Sequence, residues 1–456
     1  MTITFYGAAQ MVTGSKHLLT LENGTRILLD CGLFQGKGSQ TKELNQEFGF
    51  QPGMVNYLVL SHAHIDHCGL IPKLVREGFT GKIFCTPPTL ELCQLLMLDS
   101  ARIQQSNEDV TDEALYTEED ARESLKLFET VPYNKKYRIE EGVELLFTDA
   151  GHVLGSAAVN LTVREQGKTT RLCFSGDIGR FANRILKAPQ PFPQADVIIC
   201  ESTYGDKFHL GAEGSEDRLE QIVQETCVER GGKLLIPAFS VGRTQELIYS
   251  LNRLAEAGRL GNIKVFVDSP MSVYATEIIK SHPECFNAEL REYMRFEDPD
   301  PFGFKHLHLV VEADDSKLLN FVDEPCIIIS SSGMMEAGRI RHHLKQNISD
   351  ARNTILVTGY CEPSTLGGKL VAGAQRVNIM GEEFEVKAEV KEMKEYSAHA
   401  DFGDIAKFLI CQDKEQIGKI FLVHGEKEGM LKLKEDLEGL GYANIELARF
   451  RMSYEL

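Results

Sequence analysis

The stretch LSHAHIDHCGL, residues 60–70, places His62, His64, Asp66 and His67 within six positions, directly after the apolar run MVNYLVL. An extended chain alternates its side chains, so His62 and His64 point the same way and can share one ion. Asp66 and His67 fall where the chain turns into a helix, displaced enough to serve a second ion. Imidazole and carboxylate are the donors that Zn²⁺ takes when a position must stay open for chemistry. The competing reading is a helix-capping aspartate among ordinary surface histidines. The full HxHxDH pattern, followed by Gly69, favours metal.

One segment offers four ligands, and two ions need more. Working outward, several apolar runs end in a polar residue: Asp30 in LLDCG, His152 in DAGHVLGSA, Asp177 in FSGDIG, Glu201 in VIICES and His424 in FLVHGE. His152, Asp177 and His424 each have a glycine beside them, which lets backbone pass close to a site. They are the candidates to complete the ligand sets. Asp30 reads instead as a buried acceptor that orients ligating groups.

Many apolar runs whose ends converge on one edge describe a layered α/β fold with its site in the loops. Between the runs, residues 68–79 read as a helix closed by Gly78. Residues 89–130 read as a helical hairpin, with Thr117 as N-cap ahead of Glu118, Glu119 and Asp120. From 206 to 379 the pattern alternates helix and strand, with helices expected over 215–230, 242–258, 272–281 and 336–346. That is the pattern of an open, mostly parallel sheet. After 380 short strands return, followed by an amphipathic helix. The expected domains are therefore 1–205, an insertion over 206–379, and 380–456, the tail completing the first domain.

A chain of 456 residues, 43% hydrophobic and 25% charged, suits two globular domains. Its net charge of −18 argues against broad, non-specific binding to nucleic acid. Residues 331–376, with six cations (Arg339, Arg341, Lys345, Arg352, Lys369, Arg376) against three anions, are a candidate basic face or an ordinary fluctuation of the surface. Eleven cysteines without a CxxC pair read as buried thiols of a cytoplasmic protein. No secretory signal and no membrane span are expected.

Asp30, HAHIDH, His152 and Asp177, in this order, resemble the metallo-β-lactamase superfamily, a sandwich of two β-sheets flanked by helices. The resemblance implies one zinc on His62, His64 and His152 and a second on Asp66, His67 and His424, with Asp177 bridging. The native pair is thus expected to be two Zn²⁺ per chain, with Mn²⁺ an alternative for the same donors. The superfamily alone implies no reaction.

Later motifs resemble its β-CASP branch of nucleic-acid-processing enzymes: CESTYGD with Glu201, YSAHAD with His399, LVHGE with His424, IPAFSVGRTQEL (236–247), SSGMMEAGR (331–339) and NTILVTGY (353–360). The implied fold is an αββα sandwich carrying an inserted, mostly parallel α/β β-CASP domain. The branch often has Gln, Gly and Arg where Cys361, Ser364 and Gly368 stand here, with Lys369 a nearby cation. His424 is the residue associated with RNA-cleaving members, and the likeness is to compact bacterial ones. The expected reaction is hydrolysis of RNA phosphodiesters by a metal-activated hydroxide, in endo- or 5′-exonuclease mode, leaving 5′-phosphate and 3′-hydroxyl ends.

Phosphodiester cleavage also needs a proton for the leaving oxygen, a role that fits His399 with Glu201 as its carboxylate partner. Asp66 and Asp177 are counted with them as catalytic. Ser331, Ser332 and Gly333, at an expected helix start, suit a phosphate. Arg243, Tyr360 and Ser397 join them as candidate substrate contacts, Arg243 having a structural role as its alternative. The expected partner is RNA, single-stranded or structured, with a homodimer as the candidate assembly. The alternatives are a hydrolase of DNA or of another phosphodiester or small ester, and an inactive RNA-processing scaffold.

Overall fold

The computed structural model describes residues 1–36, 39–106, 114–209 and 214–456, and the chain divides into two compact units. The first comprises Met1–Phe208 and His399–Leu456, the second His209–Ala398.

Among the described residues, the first unit holds two seven-stranded sheets. One runs in the order Ser453–Glu455, Thr2–Phe5, His17–Thr20, Arg26–Leu29, Tyr57–Val59, Lys82–Cys85, Phe128–Thr130. The other runs Ile445–Leu447, Lys419–Val423, Val197–Glu201, Lys168–Phe174, Ala157–Glu165, Val143–Asp149, Tyr137–Glu140. Alternate residues of facing strands make the core between them: Ile3, Phe5, Leu19, Leu29 and Phe84 against Leu145, Phe147, Leu161, Phe174 and Phe421. The other face of the second sheet packs Ile198, Cys200 and Leu422 on the helices Phe402–Leu409 and Lys427–Gly439. The chain after 398 thus supplies a central strand, two covering helices and the edge strand that pairs with Thr2–Phe5.

Each sheet is half antiparallel and half parallel. Arg26–Leu29, Tyr57–Val59, Lys82–Cys85 and Phe128–Thr130 run parallel in one. In the other, Lys168–Phe174, Val197–Glu201, Lys419–Val423 and Ile445–Leu447 do. Ligands of parallel sheets bind beyond the carboxyl ends of the strands. Asp30, the 60–67 segment, Asp177, Glu201 and His424 all lie at such ends.

The second unit is built on a six-stranded sheet, among the described residues, ordered Leu307–Val310, Lys264–Asp268, Cys326–Ser330, Leu234–Pro237, Thr354–Val357, Glu389–Glu392 and parallel throughout. Helices include Ser215–Val223, Arg243–Glu256, Pro270–Lys280, Ile340–Asn347 and Leu366–Val371, and a hairpin pairs Arg376–Ile379 with Glu382–Glu385.

Local expectations fare unevenly. Thr117 caps Glu118–Leu125 in a reciprocal capping box with Asp120. The 89–130 hairpin is Pro87–Ser106 and Glu118–Leu125, and its residues 107–113 lie outside the described residues. Its end, Phe128–Thr130, is a strand parallel to Lys82–Cys85. The helix expected at 336 starts at Ile340, because Met335 and Gly338 take positive φ (64° and 75°) and keep the preceding segment a loop. The helix expected at 272 starts at Pro270, a good first residue, behind the Ser269 N-cap. Nine cysteines are buried, Cys361 is intermediate and Cys411 exposed, and none forms a disulfide. Among the described residues, no helix is long and apolar enough to cross a membrane.

Candidate metal centre

His64 is the N-cap of the short helix Ile65–Cys68, so His62 and His64 precede it in extended backbone while Asp66 and His67 ride its first turn. Two groups of potential ligand atoms draw on this segment, each within 4.8 Å: His62, His64, His152 and Asp177, and Asp66, His67 and His424; a third, Asp177, Glu201 and His424, lies outside it. His64 Nδ1 lies 3.2 Å from both His62 Nε2 and His152 Nε2. His424 Nε2 lies 3.2 Å from His67 Nε2 and 3.3 Å from Asp66 Oδ2. Asp177 turns Oδ2 to His62 and His152 (3.6 and 3.5 Å) and Oδ1 to His67 (3.3 Å).

The backbone is fitted to this crowding. A side chain at Gly179 would meet the carbonyl of Gly151 and the amide of His152, at 1.8 and 2.6 Å from its Cβ. Asp30 and His424 both take positive φ (59° and 54°), a costly conformation for residues with side chains.

Asp30, fully buried, accepts from Ser61 N (2.8 Å), Ser61 Oγ (2.9 Å) and His67 Nδ1 (2.6 Å), which leaves His67 Nε2 facing the ligand group. Glu201, also fully buried, accepts from Ile178 N (2.5 Å) and Thr203 Oγ1 (2.6 Å) and pairs with His399 Nδ1 at 3.4 Å. The His399 ring lies 4.6 Å from that of His152 and 5.9 Å from that of His424. The isolated bridge Gly179–His399 holds its backbone there.

The electrostatics suit a cation. Among the described residues, the ion pairs of Asp30, Asp66, Asp177 and Glu201 are all with imidazoles. Burial pushes His62 well below its ordinary value and His64 down to about 4, favouring neutral, ligating rings. Burial also opposes charge on His67, but Asp177, Asp66 and Asp30 outweigh it and hold this ring well above the ordinary value. Burial would raise Asp177, yet His424, His67 and His62 keep it well below the carboxylate range. At His399, burial lowers and Glu201 then raises, leaving the ring at about 9. The donor set fits divalent metal. Nitrogen lone pairs that converge in two groups, among three buried carboxylates and the partly buried Asp66, need positive charge between them.

The remaining expected residues belong to the second unit. Ser331, Ser332 and Gly333 follow the strand Cys326–Ser330. Ser331 Oγ lies 3.1 Å from Ser269 Oγ, while Ser332 Oγ is spent on the N–H and C=O of Ala337 (3.2 Å each). Arg243 is nearly buried, donates to Thr358 O and pairs with Glu246 at 3.3 Å, which is its structural alternative. Tyr360 is 42% exposed, and Ser397 precedes His399 by two residues. The cations of 331–376 are mostly neutralised: Arg339 by Asp268, Lys345 by Glu382, Arg352 by Asp350 and Arg376 by Glu383. Ser61 and Thr203 also line the site, outside the residues that the motifs single out. Each is a hydroxyl immediately beside, or two residues from, a singled-out acid or imidazole, which was the available signal.

An αββα sandwich whose parallel strand ends gather buried histidines and aspartates defines a metallo-hydrolase. Comparison with protein families agrees: residues 18–174 match the metallo-beta-lactamase superfamily domain, 244–370 the Beta-Casp domain, and 383–447 the Zn-dependent metallo-hydrolase RNA specificity domain. The chain is 35% identical to ribonuclease TTHA0252 of Thermus thermophilus over 450 residues, 99% of each chain. It is 30% identical to an RNase J-like protein of Methanocaldococcus jannaschii, covering 93% of this chain and 92% of that one. It is 32% identical to the transcription termination factor FttA of the same organism, covering 96% and 69%. The chain belongs to the β-CASP family of metallo-β-lactamase-fold proteins.

Proposed function

We propose that this protein is a ribonuclease that hydrolyses RNA phosphodiesters with two divalent ions, Zn²⁺ by the donor set, and leaves 5′-phosphate and 3′-hydroxyl ends. His62, His64 and His152 would hold one ion and Asp66, His67 and His424 the other, with Asp177 turning Oδ2 to the first group and Oδ1 to the second. The ions supply a polarised water and offset the charge that builds on the phosphate. With the ions bound, Asp66 would accept the proton of that water as its oxygen forms the new bond to phosphorus. The P–O3′ bond breaks as His399 delivers its proton to the departing O3′, and Glu201 stabilises the charged ring beforehand.

The observation that carries this reading is His399 on Glu201, 3.4 Å apart, with its ring 23% exposed beside the ligand groups. An imidazole kept protonated to about pH 9 is an acid in waiting, which hydrolysis of a thioester, with its good thiolate leaving group, does not require. The relatives named as ribonuclease and RNase J-like support RNA as the substrate. The test is cleavage of 5′-end-labelled RNA by wild type and His399→Ala, with metal per chain measured on both. Cleavage by wild type and its loss in a fully metal-loaded variant is expected. No RNA cleavage by metal-loaded wild type overturns the proposal.

A further inference from the structure

Thr203 stands two residues after Glu201 in CESTYGD (200–206). Its Oγ1 has three polar neighbours: Glu201 Oε2 at 2.6 Å, His424 Nδ1 at 3.0 Å and His424 O at 3.1 Å. A hydroxyl has one proton to give. A carboxylate only accepts, and 2.6 Å is the length of a charge-assisted O–H···O⁻ bond, so the proton goes to Glu201. The oxygen then turns a lone pair to His424 Nδ1. That contact is favourable only if Nδ1 carries a hydrogen and donates it. Nε2 of His424 is left with the free lone pair, on the side of His67 Nε2 and Asp66 Oδ2.

The Asp30 side of the site repeats the arrangement. Asp30 takes His67 Nδ1 directly at 2.6 Å, and takes Ser61 Oγ at 2.9 Å, which in turn lies 3.0 Å from His62 Nδ1. Glu201 takes His399 directly and reaches His424 through Thr203. Two buried carboxylates thus each orient two imidazoles, one in contact and one across a hydroxyl. On the Asp30 side both rings belong to the ligand groups. On the Glu201 side one ring belongs to a ligand group and the other is the proton donor.

We propose that Thr203 is a positioning residue that fixes the tautomer of His424 and ties this ligand to Glu201, so that metal ligand and proton donor share one carboxylate, the first through a hydrogen-bonded hydroxyl and the second by an ion pair. The part concerning rate rests on the ribonuclease reading, whereas the part concerning metal affinity does not. Outer partners of ligating histidines are worth about 10–100-fold in metal affinity or activity.

The test uses the full chain with Thr203→Val, which keeps the shape and loses the hydroxyl, and Thr203→Ser, which keeps it. Zn²⁺ is titrated against a chromophoric chelator, RNA cleavage is followed separately, and the ring nitrogens of His424 are read by ¹⁵N NMR in the zinc-loaded wild type. The expected results are weakening of one of two zinc sites by about 10–100-fold in Thr203→Val, and a lower kcat at unchanged KM. Thr203→Ser restores both, and His424 shows a protonated Nδ1. Wild-type zinc affinity and kcat in Thr203→Val overturn the proposal. So does an unprotonated Nδ1, a measurement that decides the matter if the valine variant does not fold. Wild type that binds zinc but does not cut RNA sinks the ribonuclease reading alone, leaving the affinity and tautomer measurements to judge Thr203.

Discussion

Asp268 in the inserted unit and Asp177 in the first unit are both buried acids facing histidines, yet their surroundings differ in kind. Asp268 takes Arg339 on Oδ1 (2.7 Å) and both Ser316 Oγ and His343 Nε2 on Oδ2 (2.6 Å each). Burial would raise its pKa, but these three donors hold it below the ordinary value. Its backbone oxygen accepts Ser330 Oγ at 2.8 Å, and Arg339 also donates to Val311 O, so the cluster fixes the 331–339 loop. Around Asp177 imidazole nitrogens also converge on each other, 3.2 Å apart, closer than they come to its carboxylate oxygens at 3.3–3.6 Å. Donors that meet acceptors make a strut, and acceptors that meet acceptors make a seat for a cation. Identical residue types serve both, so composition alone does not tell them apart.

The sharpest way to break this contrast is to withdraw the cation. Exhaustive chelation is expected to abolish RNA cleavage, and Zn²⁺ to restore it, as measured on end-labelled RNA. Activity that survives chelation would make the converging nitrogens a structural cluster like that of Asp268. Next in size is His399→Ala, expected to lower kcat by about 10²–10⁴-fold with metal content unchanged. A parallel loss of metal would place His399 among the ligands.

The strut makes the opposite prediction. Asp268→Ala leaves Arg339 and His343 without their acceptor and is expected to cost about 3 kcal/mol of stability in denaturant unfolding. Zinc per chain should stay at the wild-type value. The smallest effect concerns pH. A His399 value raised from 6.5 to about 9 means that the charged ring stabilises the metal-free fold fully below pH 6.5. That contribution is lost as pH rises through about 9. Glu201→Gln removes the largest influence that raises it, so an NMR titration of the metal-free variant should find His399 lower than in wild type.

The clustered histidines and aspartates were legible as candidate ligands because four of the side chains fall within six positions, and because His152, Asp177 and His424 end apolar runs beside glycines. Geometry then brought together what chain order separates. The strut was not legible: Asp268, Ser316 and the Arg339–His343 pair, which sits at the start of one helix, come from three separate elements and carry no shared pattern. Nor was the strand Glu389–Glu392, EVKE, whose charged residues hide its parallel pairing with Thr354–Val357. Thr203 and Ser61 escaped because a hydroxyl after a strand is commonplace, and only distances to two neighbours reveal a bridge. Arg243 shows the converse. It lies in a recognisable motif, and its guanidinium donates to Thr358 O and pairs with Glu246, contacts the motif does not announce.

The most direct measurement of the central claim is zinc stoichiometry on the full chain, for wild type, His64→Ala and His424→Ala. The account predicts two ions in wild type and one in each variant, because each substitution dismantles one ligand group and leaves the other. A wild type that binds fewer than two, or variants that keep both, would contradict it.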